Sequence, residues 1–150
     1  MSDEELPDFY EKREILFGDS TTDEEMRSTG EQFMRAGRYD DALEFFARCQ
    51  ADDLVREIIE DVKERGDTPV FLRAKRVLDE ETEEAEWEEL ASNALEHGSP
   101  SKAYVAKLKA GREEEAEQLK DQIYPDEVLE RQEVSEEDTE EQESEEKEGE

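Results

Sequence analysis

The chain has 150 residues, with 49 Asp and Glu against 19 Lys and Arg, one His, one Cys and 33% hydrophobic side chains, a formal charge of −30. A charge of that size repels phosphate and anionic lipid, so direct binding to nucleic acid or to a membrane surface is not expected. No run of about 18 apolar residues could span a membrane, the acidic opening Met1–Leu6 lacks the regions of a secretory signal, and one Cys with one His rules out an internal disulfide or an ordinary zinc site, so the expectation is a soluble cytoplasmic protein.

Apolar residues recur at spacings of three and four without sustained strand-like alternation, which predicts an all-α chain. The first helix, near 6–17, carries Leu6, Phe9, Tyr10, Leu16 and Phe17 as an apolar stripe ended by Gly18. That stripe suits docking on the rest of the chain or insertion into another protein's groove. The second, 22–36, opens on a Thr22/Glu25 capping box before Met26 and stops at Gly37. Helices over 39–50 and 53–65 follow, the latter stopped by Gly66. Thr68-Pro69 and Ser99-Pro100 each place a capping hydroxyl before a proline, opening helices over 69–79 and 100–110. Between them, 82–97 starts at Thr82 and stops at Gly98, while Gly111 separates 100–110 from 112–123. Each of the five glycines is expected to be a left-handed helix stop. Connections of two to four residues make successive helices antiparallel, as αα-hairpins.

Tyr124-Pro125 ends the helical pattern. Residues 126–150 hold 14 acids and two bases, a balance of −12, and no apolar side chain occurs from Ser135 onward. Such a stretch cannot bury enough surface to offset chain entropy, so a disordered tail is expected over 125–150, with a short amphipathic turn around Val128 and Leu129. The expected organisation is an N-terminal helix and linker (1–21), a helical-hairpin domain (22–124) and the tail.

The glycine turns at 37, 66 and 98 are 29 and 32 residues apart, a repeat spacing. Met26-x2-Thr29-Gly30-x2-Phe33, then Gly37, Ala42-x3-Phe46 and Cys49, resembles the tetratricopeptide repeat, and Trp87-x2-Leu90-Ala91-x2-Ala94, then Gly98 and Ala103, looks like a second copy 61 residues on. A looser unit with Val55, Ile58, Ile59, Val62 and Gly66 lies between. The chain departs from the family in its spacings, in the absence of proline after the second helix of a unit, and in Lys107 standing at a large apolar position. Independently of the family, Gly30, Ala42, Ala91 and Ala103 are small where two helices would cross closely, and Phe33 and Phe46 supply bulk beside them.

The resemblance implies a concave surface lined by the first helix of each hairpin. Arg27, Glu31 and Arg35, then Arg56, Glu60 and Lys63, then Glu88, Ser92 and Leu95 would face it. Repeats that clamp chaperone carboxylate tails use Lys and Asn at matching places, where this chain has Glu31, Glu57 and Glu89, so that activity is not expected. The same charges also form i,i+4 pairs of an ordinary exposed helix: Arg27/Glu31, Glu31/Arg35, Asp52/Arg56 and Asp61/Arg65.

Nothing in the sequence suggests catalysis, a cofactor or a metal. His97 precedes Gly98, where imidazolium would meet a helix C-terminus, and Cys49 falls at a small packing position expected to be buried. Trp87 and Tyr104 are expected in the core. No calcium loop, H-E-x-x-H or phosphate loop occurs. The expected function is a small interaction scaffold, its acidic tail favouring a basic partner protein. The alternatives are an acidic chaperone or nucleic-acid mimic that sequesters a basic protein, and a repeat protein whose charge reflects adaptation to high salt.

Overall fold

The computed structural model describes residues 5–124, and the expected acidic tail over 125–150, with its turn near Val128, lies outside them. Eight helices form, with no strand among the described residues: α1 (Phe9–Phe17), α2 (Asp23–Arg35), α3 (Tyr39–Cys49), α4 (Asp52–Arg65), α5 (Thr68–Leu78), α6 (Glu84–Glu96), α7 (Pro100–Lys109) and α8 (Glu113–Ile123).

Local chemistry accounts for most helix ends. At the start of α2 the Glu25 N–H donates to Thr22 Oγ1 at 3.2 Å while the Thr22 N–H donates to a Glu25 carboxylate oxygen at 3.3 Å, the reciprocal box that the sequence predicts. Gly37, Gly66, Gly98 and Gly111 are all left-handed, with φ between 71 and 78°. Gly18 is not: its φ of −71° and ψ of 139° are extended, and its N–H simply closes the last turn on Glu14 O at 2.8 Å. Two left-handed ends fall instead on side chains, Gln50 (φ 55°) after α3 and Asp79 (φ 51°) after α5.

Several starts differ from expectation. α1 begins at Phe9, because Asp8 accepts a 2.8 Å bond from the Glu11 N–H and caps it there. α6 opens after Glu83, whose N–H donates to Glu86 at 3.2 Å, so Thr82 lies outside the helix. The cap of α5 is Asp67, which displaces Thr68 into the first turn, fully buried, where its hydroxyl donates to Lys102 O at 2.8 Å. Ser99 does cap α7 by position, though its hydroxyl makes no capping bond and Pro100 sets the first turn.

The packing is sequential. α2 lies against α3, α4 against α5 and α6 against α7, three hairpins, and α8 folds back on α7. The hairpins stack through α3 on α5, α5 on α7 and α4 on α6. This arrangement is compatible with a helical repeat. The shared core is built from Phe33, Phe45, Phe46, Val55, Ile58, Val62, Phe71 and Leu90, all fully buried. The small positions serve close approach as anticipated: Ala42, Ala91 and Ala103 are fully buried, and a Cβ on Gly30 would fall 2.5 Å from Phe46 Cε1. Trp87 is buried edge-on to Phe71, with ring centroids 5.5 Å apart, and Met26 packs half-buried at the margin. Tyr104 and Cys49 are only half-buried, less than the sequence implies.

α1 docks on the first hairpin. Leu16 is buried, and Lys12 Nζ meets Asp41 at 2.6 Å and Glu44 at 3.0 Å on α3. The predicted stripe is split by this arrangement. The helix turns Lys12 towards α3 and buries Leu16 one turn further on, which leaves Phe9, Tyr10 and Phe17 at 65, 78 and 60% exposure.

Candidate protein-interaction face

The first helices of the second and third hairpins stand side by side because Gly66 lets them. A Cβ at Gly66 would sit 2.2 Å from Ala94 N, so only glycine allows the end of α4 to touch the backbone of α6 there. Asn93 Nδ2 donates to Lys63 O at 2.8 Å and fixes the same contact. Above it opens a cleft of about 560 Å³ lined by Glu60, Asp61, Lys63, Glu64, Glu89 and Asn93.

The charges in this cleft are unbalanced. Lys63, the single base of the lining, has its ammonium 3.3 Å from Glu60. Asp61 accepts from the Tyr39 hydroxyl and lies 3.2 Å from Arg65. Burial, with the Asp61 acceptor, pushes the Tyr39 phenol above its ordinary pKa and keeps it a donor. Glu64 and Glu89 have no base within 4.0 Å among the described residues. The lining thus offers open acceptors and has no free donor of comparable charge.

Of the residues expected to line a groove, the structure brings Glu60 and Lys63 together here and uses most others elsewhere. Arg27 crosses from α2 to Asp53 on α4, with Nη1 and Nη2 donating at 3.0 and 2.6 Å, and keeps Glu31 at 3.5 Å. Arg56 pairs with Glu80 beyond α5, not with Asp52, and Glu80 also lies 3.7 Å from Lys75. Lys75 continues to Glu86 on α6 at 3.3 Å. Arg27 and Lys75 therefore tie one hairpin to the next, and Arg56 braces α4 to the end of α5 within the second hairpin. Arg35 is exposed, its Nε donating to Glu31 O at 3.3 Å in place of the anticipated carboxylate pair.

The third hairpin corrects a further expectation. Glu88 joins Lys107 of α7 at 2.9 Å and Arg112, before α8, at 3.1 Å; its neighbour Glu89 is the one that lines the cleft. Burial lowers the affinity of Lys107 for its proton, and hydrogen bonds to Glu88 and Glu115 more than reverse this, so its pKa ends up raised. A charged lysine thereby stands where the repeat pattern has an apolar residue. Ser92 and Leu95 are exposed on α6.

Asp40 on α3 pairs with Arg73 on α5, and Asp67 at the start of α5 lies 3.4 Å from Lys102 on α7. Neither set was legible as such, because the partners are 33 and 35 residues apart. His97 sits at the end of α6 with Nδ1 2.8 Å from Asn93 O. The Cys49 thiol is pushed up by burial, away from a reactive thiolate. Among the described residues no group of three or more His, Cys, Asp or Glu is placed to hold a metal ion, and no helix is long and apolar enough to cross a membrane. No protein-family model matches the chain, and comparison with curated proteins and with solved structures finds none significantly similar to it.

Proposed function

We propose that the chain is a non-catalytic protein-interaction module, a small tetratricopeptide-like array that holds a basic segment of a partner protein in the cleft between α4 and α6. The family likeness is supported by the three stacked hairpins, the left-handed glycine turns and the close crossing at Gly30. The observation that carries the functional reading is the cleft's imbalance: Glu60, Asp61, Glu64 and Glu89 against Lys63, whose charge Glu60 already takes. A lysine or arginine of the partner meets Glu64 and Glu89, two carboxylates with no base within 4.0 Å among the described residues, in charge-assisted hydrogen bonds. The acids of residues 126–150 add long-range attraction, which raises the rate of encounter with a basic protein more than the final affinity.

This reading revises the roles of Arg27 and Arg56, which act as struts, Arg27 between the first and second hairpins and Arg56 within the second, and not as contacts. It is tested by titrating a lysine-rich peptide into the full chain, the Glu64→Gln/Glu89→Gln variant and a chain lacking 125–150, at low and moderate salt. The cleft reading expects the double substitution to weaken binding more than tail removal does. A tail removal that abolishes binding while the double substitution is neutral favours the acidic mimic, in which the tail itself is the binding surface.

A further inference from the structure

The far end of the array, away from the α4–α6 cleft, carries a second and opposite charge arrangement. The Arg13 guanidinium lies over the rings of Phe9 and Phe17, 5.9 Å from each centroid, and Arg48 of α3 lies over Phe17 at 4.1 Å. Both converge on one ring, so the two guanidinium carbons are no more than 10.0 Å apart. Neither has a carboxylate within 4.0 Å among the described residues, in a chain with 49 acids. A guanidinium held over an aromatic face by cation–π attraction keeps N–H donors for a carboxylate. An aromatic platform with two open forks recognises a run of carboxylates.

We infer that this platform is the intramolecular docking site of the chain's own acidic segment 135–150. Charge complementarity is one argument. A second copy would set two Arg pairs against each other and a net −30 against −30, and an anionic membrane meets the same repulsion. Reach is the other. From α8 the packing runs through α7, α5 and α3 to α1, four helix-to-helix steps of about 8–10 Å, or roughly 40 Å. An extended chain covers about 3.3–3.6 Å per residue, so Val128 and Leu129, four and five residues past Tyr124, fall short, while the stretch after Ser135 arrives.

The register of that stretch fits. In extended backbone, alternate side chains lie on one side about 6.6 Å apart, less than the 10.0 Å limit on the separation of the two guanidinium carbons. Glu136 and Asp138, Asp138 and Glu140, Glu141 and Glu143, Glu143 and Glu145, Glu146 and Glu148, and Glu148 and Glu150 all have that spacing. Six equivalent registers favour occupancy statistically without fixing one bound form. With the segment held at α1, its carboxylates are withdrawn from the steering of basic partners, and a partner that captures the segment frees the aromatic platform.

The test uses the full chain with Cys49→Ser and Ser144→Cys, the new thiol carrying a nitroxide, and reads amide broadening by NMR. At low salt the expected result is loss of intensity in residues 9–17 and 44–48, relieved at about 0.5 M KCl, where screening acts within a few Å, and relieved equally by Arg13→Gln/Arg48→Gln. A mixture of labelled chain without isotope and unlabelled isotopic chain should show none of it. The inference is overturned by unbroadened α1 amides, by broadening that the double Arg substitution leaves unchanged, or by broadening in the mixture. No basic partner is present in this experiment, so its failure leaves the α4–α6 cleft reading intact.

Discussion

Arg27 on α2 donates to both carboxylate oxygens of Asp53 on α4, at 3.0 and 2.6 Å, across 26 residues of sequence. That hydrogen bonding holds the Asp53 carboxyl below its ordinary pKa. Arg27→Gln should therefore return Asp53 towards the usual carboxylate range in a side-chain NMR titration. It should leave binding of a basic peptide undiminished, because the arginine braces hairpins and contacts no partner. A loss of peptide binding in this variant would restore Arg27 to the groove.

Gly30→Ala sets two effects against each other. Alanine gains about 1 kcal/mol of helix propensity over glycine, while its Cβ would lie 2.5 Å from the fully buried Phe46. Overpacking of this kind costs about 1–3 kcal/mol, and it wins because Phe46 is fully buried and the same Cβ would also lie 3.1 Å from Phe45 Cβ. A net loss of about 1 kcal/mol in urea denaturation is expected, partly recovered by adding Phe46→Leu.

Gly66 and Gly98 share a φ of +71° but differ in surroundings, with nothing near the Cβ position at Gly98 and the Ala94 backbone at 2.2 Å from that at Gly66. Gly98→Ala should cost about 1 kcal/mol, the left-handed penalty alone. Gly66→Ala should cost several times more and broaden amide signals in α6, since the backbone of Asn93 and Ala94 has to move. Equal costs in the two variants would mean that α4 and α6 do not touch as described.

The pH dependence of stability has two opposing parts. Asp53, Glu80 and Glu115 are held below the usual carboxylate value by hydrogen bonds from Arg27, Arg56 and Lys107. A lowered folded pKa means stability present above the ordinary value and lost as pH falls through the lowered one. Glu11 runs the other way, raised chiefly by the charge of Asp8, so the folded state gains as that proton binds. Protonation also relieves the repulsion of a −30 chain. Melting temperature should thus rise from pH 7 to about pH 5 and fall below about pH 4 as the paired carboxylates are lost. A rise continuing to about pH 3 would show that these pairs stabilise nothing.

The sequence displayed what is local and concealed what is not. Thr22 with Glu25, and the glycines at 37, 66, 98 and 111, act within four residues of themselves, and they placed the hairpins. Gln50 and Asp79 took left-handed ends without any composition signal. Thr68 reads as a cap and instead reaches Lys102, 34 residues on, because Asp67 occupies the capping place. Arg27 and Arg56 look like free groove cations or i,i+4 partners until the fold brings Asp53 and Glu80 to them. Glu60 and Lys63 follow from their helix face and Glu89 from its place at a clamp-matching position, whereas Glu64, the other open carboxylate of the cleft, has no signal because an exposed Glu in a chain with 49 acids carries no distinguishing mark.

The central claim is that the α4–α6 cleft, and not the acidic tail, is where a basic segment is held. The most direct measurement is a map of backbone amide shifts in the chain lacking residues 125–150 as a lysine-rich peptide is added at moderate salt. The account predicts saturable shifts concentrated in 57–64 and 86–93, removed by Glu64→Gln/Glu89→Gln. Shifts spread evenly over all eight helices, or none once the tail is gone, would contradict it.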